Sequence, residues 1–390
     1  MHYSAPRVPG ELRFEATDAV RDALARMGRT EDLRFSPNGE RLAFACYSTD
    51  RVALADVQID RSSDGPEIAL TRLVYLESER FREPHGIDFV DDETLVVGNR
   101  AGQVEVFRLR DSGEIEAAGQ AGDASGLIDS PGSIAVRALE SGGHEVVACN
   151  NWANTVTRHP LVSHRSESSG EVIARRWLDL PDGVALSHNG RWLAVSNHAA
   201  HTVLVYEYPG AHQDNDPVGV LRGVTYPHGL RFANGDRHLL VADAGAPLVA
   251  AFTSSGDWKG ARFPSAAMRV VDDATFVRGR KNQAEGGPKG LDVEGRSGVL
   301  AITLEEQSLA FFDLESVVDA GFPDEYDDAL VEYELLGLVE AQARTDRAEA
   351  NEARARAELA DILESTVWRM TAPARRIRTA LKARSHRSRA

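Results

Sequence analysis

The chain has 390 residues, of which 42% are hydrophobic, and it carries a formal net charge of −16. This length allows one large domain with an appendage or two to three average domains, and the apolar content supports a sizeable core. Only Cys46 and Cys149 are available for disulfide or thiolate chemistry, and neither lies in a Cys-x-x-Cys or Cys/His spacing. We therefore expect neither a disulfide framework nor a structural zinc site.

The charge is distributed unevenly along the chain. Residues 365–390 contain eight Lys and Arg and no Asp or Glu, which leaves −24 for the first 364 residues. An acidic body argues against nucleic-acid binding. The N-terminus lacks the layout of a signal peptide, and no apolar run approaches the roughly 18 residues of a membrane span. We therefore expect a cytoplasmic protein that binds no nucleic acid.

The first predicted element is a short helix over residues 17–28, within an N-terminal segment of residues 1–29. Thr17 is a residue type that caps helix starts, and Gly28 is one that ends helices.

From residue 30 onward one sequence pattern occurs six times, as TEDLRFSPNGERLAFAC, PHGIDFVDDETLVVGN, PGSIAVRALESGGHEVVACN, PDGVALSHNGRWLAVSN, PHGLRFANGDRHLLVAD and PKGLDVEGRSGVLAIT. Each unit predicts a hairpin of two strands joined by a Gly, Asn or Asp turn, followed by a third apolar strand and a more polar fourth strand. The lead residues fall at 31, 85, 132, 182, 228 and 289, an average interval of about 52 residues. Four strands in each of six units predict an all-β fold, a six-bladed β-propeller over residues 30–336.

The remainder of the chain has a different composition. Residues 337–364 are rich in Ala, Glu and Arg, and they predict a long exposed helix, a C-terminal helical extension of the propeller. Its apolar positions are mostly alanine, so any coiled coil that it forms is expected to be weak. Residues 365–390 form a basic tail that contains Trp and Pro.

In a propeller the innermost strands line a central channel, and their first residues converge at one mouth. The lead residues are Glu31, His85, Gly132, Asp182, His228 and Lys289. Imidazole and carboxylate groups suit a divalent metal ion, whereas an ammonium group does not. We therefore predict Glu31, His85, Asp182 and His228 as metal ligands. The alternative is that the histidines are turn residues bonded to a neighbouring blade.

A second ring of polar residues is expected where the next strand of each unit ends. Its members include Asn99, Asn150, Asn197 and Asp243. With Lys289 of the first ring, they are predicted to bind a ligand, or to support the metal ligands. The alternative is that Asn and Asp cap turns at strand ends.

Two of these units resemble known families. PDGVALSHNGRWLAVSNHAAHTVLVYEY resembles a blade of the gluconolactonase and senescence-marker-protein propellers, and PHGIDFVDDETLVVGNRAGQVEVF is similar to a blade of the paraoxonase-type lactonases. The resemblance implies six blades, a divalent metal at the channel mouth and hydrolysis of a lactone or an ester. It implies that Glu31 is a metal ligand and that His85 lies near the metal as a base. Asp182 departs from the Asn that both families usually carry there.

On this resemblance the metal would polarise the lactone carbonyl while His85 or His228 activates water, so both histidines are predicted to be catalytic. No nucleophile elbow, P-loop or dinucleotide-binding turn offers a rival mechanism.

The tail sequence LESTVWRMTAPARRI resembles a C-terminal signature of bacterial surface-polysaccharide biosynthesis proteins. Trp368, Arg369, Pro373 and Arg376 are among the residues that carry the match. The resemblance implies docking on polysaccharide-assembly proteins, and the basic charge predicts a peripheral position on an anionic membrane surface. The alternative function is then a non-catalytic propeller that binds a glycan or a partner, and the alternative for the tail is a solvated segment.

Overall fold

The prediction of a six-bladed β-propeller is confirmed by six sheets of four to six strands each in a computed structural model. The structure describes residues 2–4, 6–63, 65–110, 113–122, 125–161, 170–212, 214–323 and 326. The predicted helix 337–364 and the tail 365–390 therefore lie outside the described residues.

The N-terminal segment contains three short strands and one helix. The strands are β1 (His2–Tyr3), β2 (Glu11–Leu12) and β3 (Phe14–Ala16), and the helix is α1 (Asp18–Ala25). The Val20 amide donates to the Thr17 hydroxyl over 3.3 Å, so Thr17 is the N-cap that its sequence position predicts.

The first three blades each place four antiparallel strands from the channel outward. Blade 1 contains β4 (Asp32–Phe35), β5 (Arg41–Cys46), β6 (Arg51–Ser62) and β7 (Gly65–Leu76). Blade 2 contains β8 (Pro84–Asp91), β9 (Thr94–Asn99), β10 (Val104–Leu109) and β11 (Ile115–Ala121). Blade 3 contains β12 (Pro131–Ala138), β13 (His144–Asn150), β14 (Thr155–Leu161) and β15 (Glu171–Ala174).

The last three blades are less regular. Blade 4 contains β16 (Pro181–Leu186), β17 (Trp192–Asn197), β18 (Thr202–Glu207) and β19 (Gly219–Leu221). Blade 5 contains β20 (Pro227–Ala233), β21 (His238–Asp243), β22 (Leu248–Thr253) and β24 (Ala266–Arg269), and the intervening β23 (Gly260–Arg262) pairs in parallel with β19 of blade 4. Blade 6 contains β25 (Pro288–Val293), β26 (Val299–Leu304) and β27 (Ala310–Asp313). Two helices, α2 (Asp273–Gly279) and α3 (Leu314–Val318), flank blade 6 in sequence.

The N-terminal segment closes the ring of blades. Strand β2 pairs antiparallel with β27 as the outer strand of blade 6, and β3 pairs in parallel with β7 of blade 1. The segment of residues 1–29, which the sequence predicts ahead of the propeller, thus supplies strands to two blades. A three-stranded blade 6 would otherwise expose the edge of β27, and pairing removes that edge.

Among the described residues, six apolar clusters each fill the space between two neighbouring blades, and a small seventh cluster forms around Tyr326. The innermost strands contact one another in a closed ring, in the order β4, β8, β12, β16, β20, β25 and back to β4. All six lead residues therefore meet at one mouth of the channel. Among the described residues, no helix has the length and apolar character needed to cross a membrane.

Candidate functional site

The buried carboxylate of Glu31 lies at the centre of the mouth. The Lys289 ammonium is 3.2 Å from Glu31 Oε2 and 3.3 Å from Oε1, and the Arg29 guanidinium also pairs with this carboxylate. Burial raises the pKa of Glu31, but the Lys289 ammonium, the contacts with His85 and His228 and the Arg29 guanidinium together outweigh burial and hold the pKa well below its usual value. Glu31 is therefore an ionised carboxylate in a buried site.

His228 lies between two carboxylates. Its Nε2 is 3.2 Å from Glu31 Oε2 and 3.2 Å from Asp182 Oδ2. Asp182 is itself held through Oδ1, which accepts from Asn151 Nδ2 over 2.8 Å and from Arg100 Nη2 over 3.3 Å. Burial raises the pKa of Asp182, but the surrounding His228, His85 and Arg100 lower it far more, so Asp182 is ionised.

His85 is oriented by the backbone of the next blade. Its Nδ1 donates to the Gly132 carbonyl, and a carbonyl oxygen can only accept, so the proton lies on Nδ1. Nε2 then offers a lone pair, 3.7 Å from Glu31 Oε2. Burial lowers the pKa of His85 to about 3, with a further contribution from Arg100, so the ring is neutral at physiological pH.

The two predicted histidines meet directly across the channel. Although His85 and His228 come from blades 2 and 5, their rings stack with centroids 5.5 Å apart and planes at 20°. The two rings are therefore in contact across the channel at this level.

Three predicted ligand residues form one cluster with metal-binding capacity. One ligand atom each from Glu31, His85 and His228 lies within 4.8 Å of the other two, and all three residues are buried. Separations of 3.2 and 3.7 Å suit neighbouring ligands of one ion at bond lengths of about 2.1 Å. The bond from His85 Nδ1 to a carbonyl is the usual support of a metal-bound imidazole. The donor set therefore fits a divalent ion. Lys289 offsets the negative charge of Glu31, however, and this weakens the expected affinity for the ion.

The second predicted ring makes contacts within its own blades. The side-chain oxygens of Asn99, Asn150, Asn197 and Asp243 accept from the backbone amides of residues 82, 129, 179 and 225, each two positions before the proline of the innermost strand. These bonds fix the loop that leads into each innermost strand, as the turn-capping alternative predicts. The ligand-binding role of this ring and of Lys289 remains a prediction.

Residues that the sequence patterns did not single out complete the site. Arg100, Asn151 and His198 directly follow Asn99, Asn150 and Asn197, and Glu305 follows β26 in the same way. Asn151 and Arg100 bond to Asp182, and Glu305 Oε2 is 3.2 Å from Lys289 Nζ. Successive residues of an extended chain point to opposite sides. The sequence repeat identifies the residue at the strand end, such as Asn99, whose side chain caps the loop. The next residue, such as Arg100, directs its side chain toward the mouth.

We expect nuclear magnetic resonance to find His85 as the neutral Nδ1–H tautomer when the chain is treated with a chelator. Because burial and Arg100 lower its pKa to about 3, the ring should stay neutral on acidification through pH 5 and take up a proton only near pH 3. The nitrogen shifts of ¹⁵N-histidine, assigned with His85→Gln, measure both properties. A midpoint near 6.5, or an Nε2–H tautomer, would contradict the described geometry.

The predicted docking residues Trp368, Arg369, Pro373 and Arg376 lie outside the described residues. Docking on a membrane or on assembly proteins, and the cytoplasmic location, therefore remain predictions.

Comparison with protein families finds one β-propeller domain that matches part of the chain. The family described as the lipoprotein LpqB beta-propeller domain matches residues 7–151. A search of curated proteins finds no match. Among solved structures, a Bacteroides uniformis protein assigned as a 6-phosphogluconolactonase is 14% identical, with a TM-score of 0.46 over 70% of this chain and 78% of that one.

Two further solved structures are similar to the same degree. A protein assigned as a gluconolactonase is 16% identical, with a TM-score of 0.48 over 73% of this chain and 88% of that one. The PQQ domain of pyranose dehydrogenase from Coprinopsis cinerea is 12% identical, with a TM-score of 0.47 over 74% and 93%. Likenesses at this level carry no information about chemistry.

Proposed function

We propose that the chain is a metal-dependent hydrolase that opens a small lactone or ester at the propeller mouth. The observation that carries the proposal is the buried cluster of Glu31, His85 and His228, with the His85 lone pair directed toward Glu31 by the Gly132 carbonyl. When bound by these three residues, a divalent ion would polarise the carbonyl of the substrate and stabilise the oxyanion.

The roles of the two histidines follow from their lone pairs. An imidazole with a proton on one nitrogen has one lone pair, which can bind a metal or accept a proton but cannot do both. The single lone pair of His85 lies on Nε2, 3.7 Å from Glu31 Oε2, so we assign His85 to metal binding. We assign His228 to metal binding as well, because its Nε2 lies 3.2 Å from Glu31 Oε2. An ion bound there would displace the proton that Nε2 donates to Glu31.

Asp182 is then the group placed to accept the proton of the attacking water. Its Oδ2 is 3.2 Å from His228 Nε2, and it is ionised. Asn151 and Arg100 hold its other oxygen, which fixes the direction of the carboxylate. The predicted ligand role of Asp182 becomes, in this proposal, the role of general base.

Metal analysis and kinetics of three variants test this proposal. We expect about one ion per chain in the wild type and turnover on a panel of lactones and aryl esters. His228→Gln should lose the ion, whereas Asp182→Asn should keep it and lower kcat about 100-fold, because only proton transfer is removed. His212→Gln, at a histidine that is exposed, is the matched control and should change neither property.

The charges of the site favour one alternative, a non-catalytic binding module. The carboxylates of Glu31, Asp182 and Glu305 are matched by the cations of Arg29, Arg100 and Lys289, so the mouth is nearly balanced without an ion. A wild-type chain that holds no metal and turns over no substrate would rule out the hydrolase and leave this alternative. A partner in surface-polysaccharide assembly, bound through the tail, belongs to the same alternative.

A further inference from the structure

We infer that the mouth face carries a binding surface for an oligosaccharide, in which Trp152 and Trp177 are the stacking rings. Each of these side chains is 65% exposed. Tryptophan is usually among the most buried side chains on average, because its large apolar area gains from removal from water. Two exposed indole rings on neighbouring turns therefore indicate a surface that binds a ligand.

Both tryptophans lie on turns that border the site. Trp152 belongs to the turn after β13, and Trp177 belongs to the connection that leads into β16. The two turns are joined, because the Leu180 amide donates to Asn154 Oδ1 over 2.7 Å. The rings are thus carried by two bonded loops at the boundary of blades 3 and 4, on the face where the lead residues meet.

Trp177 is held in place without being buried. Its indole Nε1–H donates to Asp216 Oδ1 over 2.8 Å, and its carbonyl accepts from Asn197 Nδ2 over 2.8 Å. Its backbone adopts φ 69°, a left-handed conformation that a bulky residue adopts only when the surroundings impose it. An exposed ring fixed in this way loses little conformational entropy when a ligand stacks on it.

The groups around the rings indicate a sugar in preference to a protein. A protein interface has a continuous apolar centre depleted of charge, whereas here exposed carboxylate and guanidinium groups lie beside Trp177. Arg175 and Arg176 directly precede Trp177 and pair with Asp214 and Asp216, and all four side chains are more than half exposed. A pyranose ring offers C–H faces to an indole and hydroxyl groups to such polar side chains.

This inference goes beyond the proposed hydrolase, and it holds whether or not the mouth is catalytic. The surface is built from loop residues that are separate from the cluster of Glu31, His85 and His228. Binding should therefore persist with a chelator present and in His228→Gln.

The test is calorimetric titration of the full chain, in the presence of a chelator, with maltohexaose, cellohexaose, chitohexaose and hexagalacturonate. We expect at least one hexasaccharide to bind, and Trp152→Ala and Trp177→Ala each to weaken it at least about tenfold. Trp152→Phe and Trp177→Phe should retain part of the affinity, because an aromatic face remains. Phe263→Ala, at a side chain 56% exposed beside β23, is the control and should bind as the wild type does.

Three results would overturn the inference. The first is that the wild type binds none of the four hexasaccharides at millimolar concentration. The second is that the tryptophan variants bind as the wild type does. The third is self-association in analytical ultracentrifugation that both tryptophan variants abolish, which would assign the surface to a second copy of the chain. Loss of hydrolysis in His228→Gln with unchanged hexasaccharide binding separates this inference from the proposed function.

Discussion

Glu31→Gln is expected to lower the free energy of unfolding by about 3–5 kcal/mol, because it removes one of the two carboxylates that pair with a buried cation. Glu31 is fully buried, and Lys289, only 1% exposed, places its ammonium 3.2 Å from Glu31 Oε2. Glutamine keeps the shape of the side chain but removes the charge that offsets Lys289 and Arg29. Glu305 remains as the second carboxylate at Lys289, which sets the lower end of this range. Urea denaturation with a chelator present measures the loss.

The double variant Glu31→Gln/Lys289→Met separates charge from packing. If the loss comes from an unpaired ammonium, removing that ammonium should recover a large part of the stability, and the two substitutions should be strongly non-additive. Equal and additive losses would show that the carboxylate stabilises the mouth through contacts other than the ion pair. Glu40→Gln, on the exposed turn of blade 1, is the control, and it should change stability by less than about 0.5 kcal/mol.

Gly183→Ala is expected to cost about 3 kcal/mol or more and to disturb the metal cluster as well. A Cβ at residue 183 would lie 2.0 Å from the His228 carbonyl oxygen and 2.9 Å from Ser196 Oγ. The first of these is backbone of the neighbouring innermost strand, which can move only by separating blades 4 and 5. That movement would shift His228 away from Glu31 and Asp182. Denaturation and metal content measured on the same preparation test both effects.

Gly295→Ala is the matched control for this substitution. No atom lies within 4 Å of a Cβ at residue 295, and its backbone does not require a positive φ. We expect a change of less than about 1 kcal/mol and an unaltered ion content. A stable Gly183→Ala with full metal content would show that the inner strands can separate at little cost, contrary to the packing described.

The blade repeat was predictable because its signals are local. Fewer than about twenty consecutive residues encode a hairpin of alternating apolar residues with a Gly or Asn turn, and this pattern occurs again in each blade. The closure of the ring was not predictable in this way. Strand β2 has only two residues, Glu11–Leu12, and it pairs with Phe311 and Phe312 at the other end of the described chain. So short a strand carries no periodic pattern, and its pairing depends on where blade 6 ends.

The candidate site was predictable in part. Its lead residues occupy one position of the repeat, so the convergence of Glu31, His85, Asp182, His228 and Lys289 follows once the repeat is recognised. The closeness of His85 to His228 does not follow, because the repeat does not specify the width of the channel. Arg100 and Asn151 were missed because the repeat marks the strand ends Asn99 and Asn150, and the next residue has a different identity in each blade.

The local sequence thus determines six hairpin units and the position in each that faces the mouth, since turn chemistry and alternation act between neighbours in the chain. Only the tertiary structure decides what those positions do together. Lys289 meets Glu31 across 258 residues of sequence, and that contact sets the charge of the carboxylate that a metal would need. The tertiary structure also decides that Trp152 and Trp177 are exposed beside the site, because the exposure of a loop residue depends on which blades surround the loop.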